Sequence, residues 1–217
     1  MTLNRFLAPE RTSLKICGVT TQSDAERLAE MNVDALGANF WPKSKRFLSP
    51  ESAGFLSSLS GRILRVGVFV NAGPELPRQL FEDGLIDLIQ LHGDETPDDA
   101  QPLIEAGIPF IKALGIQRAD DFEKAHLFGA QSILLDAHAP GVYGGTGRTM
   151  DWNLARDFVI GNPDLPLVLA GGITSENASA AISAVHPAAL DIASGAESSP
   201  GVKDFEKVAA LLAACRA

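Results

Sequence analysis

Cysteine is scarce in this chain: two among 217 residues, Cys17 and Cys215, at opposite ends of the sequence. That scarcity excludes a small secreted fold stapled by disulfides, and in a reducing compartment no bond between these two is expected. Basic residues are also in deficit, 18 Lys and Arg against 27 Asp and Glu, with a formal net charge of -9 and a pI near 4.9. Nucleic acid is therefore not an expected partner, because DNA and RNA binders gather Lys and Arg on one face. A small anionic molecule is not excluded, since a few local basic residues suffice to hold one. No apolar run reaches the ~18 residues a membrane span needs, and Met1 to Thr12 lacks the basic start and apolar stretch of a secretory signal. The expectations are no membrane partner and a cytoplasmic location. With 46% hydrophobic and 21% charged residues the chain can bury a sizeable core, read as one domain over 1–217 with 1–12 as a short N-terminal extension.

Apolar runs rich in Val, Ile and Leu recur, each ending in Gly or a polar residue and each followed by a helical pattern. They are Leu14 to Cys17, Ala35 to Phe40, Ile63 to Val70, Leu88 to His92, Phe110 to Leu114, Ile133 to Asp136, Leu167 to Ala170 and Leu190 to Ala193. The strand number and the alternation with helices fit a (β/α)₈ barrel, although an open doubly wound sheet would alternate too. Helix starts are readable at Thr21 or Ser23, at Ser49 before Pro50, at Thr96 before Pro97, at Ser175 and at Asp204. The long connection from Ala137 to Asp151 is too glycine-rich for a helix and is the candidate for a mobile active-site loop.

In such a barrel the loops after the strands build the active site, so polar residues at those ends carry the most weight. Strand alternation puts Lys15 and Cys17 on one side and Ile16 on the other; with Ile16 toward the helices, Cys17 faces the interior at its rim. Cys17 is then either a small buried hydrophobe or a reactive thiol, whereas Cys215, on the apolar face of the last helix, reads as plain core. Asp136 ends an apolar strand and needs a partner or a function, because an isolated buried charge is costly. An Asp that caps a loop is the ordinary alternative. His92 reads equally as a satisfied structural histidine or as an acid or base. Asp191, on the strand that closes the ring beside the first, is positioned to pair with Lys15.

Gly171-Gly172 and Ser194-Gly195 follow the seventh and eighth strands, where barrels commonly hold a phosphate with backbone N–H groups. Gly144 to Gly147 lacks the spacing of a nucleotide loop. Arg46, in the basic loop Pro42 to Arg46, suits a planar carboxylate through two parallel N–H bonds; its alternative is a solvated turn.

Together these stretches resemble the phosphoribosylanthranilate isomerase family of tryptophan biosynthesis. The resemblance runs through Lys15-Ile-Cys-Gly18 with Thr20, Phe40 to Arg46, Val66 to Asn71, Gln90 to Glu95, Leu135-Asp136, Gly144 to Gly147 with Asp151-Trp152, and Leu169 to Ile173. It continues through Asp191 to Glu197 and Pro200 to Asp204, covering nearly the whole chain in order. It implies a (β/α)₈ barrel that carries out, without metal or cofactor, the Amadori rearrangement of N-(5-phosphoribosyl)anthranilate to 1-(2-carboxyphenylamino)-1-deoxyribulose 5-phosphate. It further implies Cys17 as general base and Asp136 as general acid, Arg46 on the anthranilate carboxylate, the late glycine turns on the phosphate, and His92 within the substrate site. The implied partner is a phosphorylated small molecule; contacts with other tryptophan-pathway enzymes have no readable signature. Asn39, Lys45 and Ala196 depart from residues common in the family. Other readings to be separated are a metal-dependent phosphosugar epimerase, a cysteine hydrolase using Cys17 and His92, and a non-catalytic phosphometabolite binder on the same scaffold.

Overall fold

The computed structural model describes residues 2–8, 10–115, 122–136 and 151–217. Its strands are β1 (Ser13–Cys17), β2 (Ala35–Asn39), β3 (Leu64–Phe69), β4 (Leu88–Leu91), β5 (Phe110–Leu114), β6 (Ser132–Leu135), β7 (Leu167–Leu169) and β8 (Ala189–Ile192). They pair in chain order into a closed parallel barrel, and β8 returns beside β1 with Lys15 opposite Asp191 and Ile16 opposite Ile192. Closure decides against the open sheet.

The helices are α1 (Leu3–Phe6), α2 (Gln22–Glu30), α3 (Glu75–Glu82), α4 (Pro97–Glu105), α5 (Glu123–His126), α6 (Trp152–Gly161), α7 (Ala178–Val185) and α8 (Phe205–Arg216). Thr21, rather than Ser23, caps α2 by accepting the Asp24 N–H, and Thr96 and Asp99 form a reciprocal capping box on α4. Asp204 accepts the N–H groups of Glu206 and Lys207 at the start of α8, as its sequence position implies. The start at Ser49 before Pro50 holds, although the segment it opens, Pro50–Leu59, is a 3-10 helix. One expected start is corrected: α7 begins at Ala178 after Asn177, not at Ser175.

The sheet separates two cores, because alternate residues face opposite sides. Outward residues such as Leu14, Ile16, Leu36 and Ile89 pack under the helices, whereas Ala35, Leu64, Val66, Leu88, Ile111, Leu134, Val168 and Ala189 fill the interior. Phe6 of α1 is fully buried and belongs to the interior cluster, among the first residues of β2, β3, β4 and β8. The short N-terminal stretch therefore plugs the bottom of the barrel, burial of its one aromatic ring contributing about 1.5–3 kcal/mol. The opposite end stays open. Among the described residues no helix is long and apolar enough to cross a membrane.

Candidate active site

At the carboxyl ends of the strands lies a cavity of about 530 Å³. Every site residue singled out from the sequence lines it: Cys17, Arg46, His92, Asp136, Gly171, Gly172, Ser194 and Gly195. Cys17 at the end of β1 and Asp136 just past β6 are separated around the ring by β7 and β8.

Within β1 the expected alternation holds: Ile16 packs under the helices while Lys15 and Cys17 point inward. The buried Lys15 ammonium donates to Asp191 Oδ1 at 2.8 Å, across the seam where the barrel closes. Room for both side chains comes from Gly37, opposite Cys17 on β2. A Cβ there would stand 2.8 Å from the cysteine sulfur and 3.0 Å from Lys15 Nζ, so any larger residue would displace the thiol. Burial raises the Cys17 thiol above its ordinary range and the Asp191 charge adds to this, against the opposing pull of Lys15 and Lys203. Lys15, itself lowered by burial but raised on balance by Asp191 and Cys17, stays charged. The lysine thus moderates the thiol without reversing its rise, because burial and the Asp191 charge outweigh it.

Across the cavity, His92 Nε2 lies 3.5 Å from Asp136 Oδ2. Its other nitrogen, Nδ1, is 2.9 Å from Gln90 Nε2. With the Gln90 amide donating, the ring proton sits on Nε2, toward the carboxylate. Both histidine nitrogens are thereby directed along β4 and toward β6, not to the thiol, which removes the geometry a Cys–His hydrolase would use. Gln90 stands in the family motif without a role of its own, although the same alternation that places His92 inward places Gln90 inward two residues earlier. Gln90 is 1% exposed, and its Oε1 has no hydrogen-bond partner among the described residues. An orphaned acceptor on a cavity wall is available to a ligand N–H or O–H.

Arg46 differs from expectation in one respect: its fork is already engaged. Nε contacts both Glu197 oxygens, at 2.8 and 3.0 Å, and Nη2 reaches Oε2 at 2.6 Å. These bonds raise the guanidinium above its ordinary value despite burial. Burial pushes the Glu197 carboxyl upward, but hydrogen bonds from Arg46 and Lys203 override it and leave the group below the usual carboxylate range.

On the remaining rim, Gly171 and Gly172 adopt φ of +84° and +65° in succession, a left-handed path that favours glycine. Gly195 has a different reason: a Cβ would run into the carbonyl oxygen of Ile173, so glycine lets the loops after β7 and β8 press together at the cavity. Asn177 stitches the first loop by accepting the Thr174 N–H at 2.8 Å and donating to the Gly172 carbonyl at 3.0 Å. Among the described residues no group of three or more His, Cys, Asp or Glu is placed to hold a metal ion.

The family model described as N-(5'phosphoribosyl)anthranilate (PRA) isomerase matches residues 14–214. The chain belongs to this family. It is similar to the N-(5'-phosphoribosyl)anthranilate isomerase of Syntrophus aciditrophicus (strain SB), at 41% identity over 94% of this chain and 87% of that protein. Its counterpart in Synechococcus sp. (strain JA-3-3Ab) is 42% identical over 93% and 90%. Among solved structures, phosphoribosyl anthranilate isomerase from Thermotoga maritima superposes with a TM-score of 0.83 at 36% identity, covering 94% of this chain and 98% of that one. A structure of the isomerase in complex with reduced 1-(o-carboxyphenylamino)-1-deoxyribulose 5-phosphate gives 0.80 at 35% identity, with the same coverage. The chain is thus an isomerase of tryptophan biosynthesis, built on the family's (β/α)₈ barrel.

Its departures from the phosphoribosylanthranilate isomerase pattern have local accounts. Asn39 accepts the Trp41 N–H at 2.9 Å and shapes the entry to the Arg46 loop. Lys45 is exposed at the cavity mouth, and Ala196 is fully buried in the turn Ser194–Ala196. The loop 137–150, including Gly144 to Gly147, lies outside the described residues. Glu197 and Lys203 were quoted in the family motif without a role, because only the folded chain brings them beneath Arg46.

Proposed function

We propose that the protein converts N-(5-phosphoribosyl)anthranilate to 1-(2-carboxyphenylamino)-1-deoxyribulose 5-phosphate in the cytoplasm, with Asp136 as general acid and Cys17 as general base. One observation carries the reading: a carboxyl and a thiol face the same cavity from opposite walls, with a cationic rim at Arg46 and a glycine rim at 171–172 and 194–195. The bound aminoketose analogue in the similar isomerase structure is in keeping with it.

The substrate offers a phosphate, a carboxylate and a sugar carbon between them. The glycine turns receive the phosphate through backbone N–H groups, and Arg46 takes the carboxylate, which fixes the ribose between thiol and carboxyl. Asp136 protonates the ring oxygen as the C1–O bond breaks and the anilino nitrogen pair forms C1=N. Cys17 as thiolate removes the proton from C2; those electrons form C1=C2 and neutralise the iminium nitrogen, leaving an enolamine. Gain of a proton at C1 and loss of the enol proton give the aminoketose. His92, hydrogen-bonded from Gln90 at Nδ1 and facing Asp136 with Nε2, orients the carboxylate, which regains its proton from the enol oxygen. The open acceptor of Gln90 takes a substrate donor.

The test is turnover of freshly generated substrate, followed by loss of its fluorescence, in the unmodified protein, Cys17→Ala and Asp136→Asn. Each variant should lose about 10²–10⁴ in kcat, the range for a removed acid or base, while circular dichroism stays native. Substantial activity in either variant rejects its assigned role.

A further inference from the structure

Beyond β8 the chain does not enter the last helix directly. It first makes a small antiparallel hairpin, β9 (Glu197–Ser199) with β10 (Val202–Lys203), whose turn is held to the loop after β1 by Thr20 Oγ1 donating to the Gly201 carbonyl at 3.1 Å. Nothing in the reaction scheme uses this hairpin. Yet its two charged side chains are the most buried of the cavity's cationic side: Lys203 is 0% and Glu197 3% exposed, against 15% for Arg46. We propose that Glu197 and Lys203 are positioning residues: Glu197 turns the outer edge of Arg46 toward the substrate carboxylate, and Lys203 ties that arrangement to the strand end that carries Cys17. The inference rests on the carboxylate-binding role given to Arg46 above.

A guanidinium has five N–H bonds in a rigid plane and two edges that can grip a carboxylate. Glu197 occupies the edge made by Nε and Nη2. The second hydrogen of Nη2 and one of Nη1 form the other edge, so a ligand carboxylate is gripped end-on, in a direction set by Glu197.

The same Glu197 oxygen that faces Nε accepts from Lys203 Nζ at 2.6 Å and from the Gly201 N–H at 3.2 Å. One carboxylate thus serves a buried lysine and a partly buried arginine beside an open cavity. A buried surplus positive charge is costly unless an anion offsets it, and a substrate carboxylate on the outer edge of Arg46 does so. The lining of this wall therefore selects for a negatively charged aromatic amine over a neutral one.

The hairpin is also linked to the thiol. Lys203 Nζ also donates to the Cys17 carbonyl at 2.6 Å. The next residue, Gly18 at φ +75°, lies under the Arg46 stem, where a Cβ would collide with Cδ. The carboxylate holder and the end of β1 are therefore fastened to one hairpin, which sets the separation between substrate carboxylate and sulfur.

The experiment compares two substrates generated in situ from ribose 5-phosphate, one with anthranilate and one with aniline, which lacks the carboxylate; products are separated by chromatography. For Glu197→Gln, KM for the anthranilate substrate should rise about 10–100-fold while that for the aniline substrate changes less than about threefold, as expected when one charge-directed contact is lost. For Lys203→Met, kcat should fall about tenfold for both substrates with KM little changed, the sign of a misplaced reacting group. Equal losses on both substrates with Glu197→Gln, or wild-type kinetics in either variant, overturn the proposal. If Glu197→Gln does not melt cooperatively, Glu197→Asp, which keeps the charge but withdraws it by one methylene, takes its place with the same expected discrimination. An unmodified protein that turns over neither substrate defeats the proposed function instead.

Discussion

Two buried lysine–carboxylate pairs sit on opposite faces of the same sheet. Inside the barrel Lys15 meets Asp191 at 2.8 Å, with side chains 0% and 6% exposed; behind it Lys112 meets Glu95 at 2.7 Å, with 2% and 7%. Length and burial do not tell them apart, but what each pair does with its remaining hydrogen bonds does. Lys112 also donates to the Gly93 carbonyl at 2.7 Å and lies over the Phe128 ring, while Glu95 accepts the N–H groups of Asn71 and Gly93. All of it goes into holding the loop that follows His92. The inner pair instead borders the Cys17 thiol, and its two charges act on that group in opposite directions. A buried ion pair is thus no mark of a site by itself; a reactive neighbour on an open cavity is.

The comparison can be pressed from the largest effect downward. Lys15→Met strands Asp191 without its cation, a loss of about 3–5 kcal/mol by urea denaturation. It also removes a charge that holds the thiol down, so alkylation of Cys17 by iodoacetamide moves to higher pH. Glu95→Gln at the outer pair should cost about 3 kcal/mol for the same reason yet leave kcat of the folded protein within about threefold. A collapse of kcat there would erase the distinction between the two pairs.

In the unmodified protein, alkylation of Cys17 should titrate above the ~8.5 of a free thiol, since burial and Asp191 raise it. With the Cys17 thiolate as the proposed base, turnover should still be climbing as pH passes that value; a plateau reached by neutrality contradicts the proposal. Cys215, pushed up to about 12 by burial, supplies the unreactive control. The smallest effect is expected at the glycine rim, where Asn177→Ala removes two hydrogen bonds worth about 1 kcal/mol each. KM should rise a few-fold with kcat unchanged, measured by steady-state turnover.

Why the inner pair was legible and the outer was not is a matter of parity and neighbourhood. Lys15 and Cys17 share a side of β1, and a closed ring places the eighth strand beside the first, so Asp191 could be matched to Lys15 from spacing alone. Position at or after the strand ends put His92, Asp136 and the two glycine turns at the open end. For Lys112 the alternation of Phe110-Ile-Lys-Ala-Leu114 points outward, but its partner sits in the loop after β4, and no local rule names it. Arg46 was read as a candidate carboxylate holder, whereas its own partner, 151 residues later, depends on a hairpin with two short strands and no apolar pattern. The plug formed by Phe6 with Leu3 and Leu7 escaped because a four-residue helix is too short for its i, i+3, i+4 spacing to stand out.

The seam between β1 and β8 has a consequence for how this molecule comes into being. Its hydrogen bonds join residues 13–16 to residues 189–192, so the first strand to leave the ribosome waits for the last. Until then the growing sheet has two open edges, and Lys15, destined for complete burial, has no counter-charge. Contacts of such long sequence separation form late, and exposed strand edges invite pairing with other chains. The partially synthesised protein, more than the finished barrel, is where this design is most exposed to aggregation.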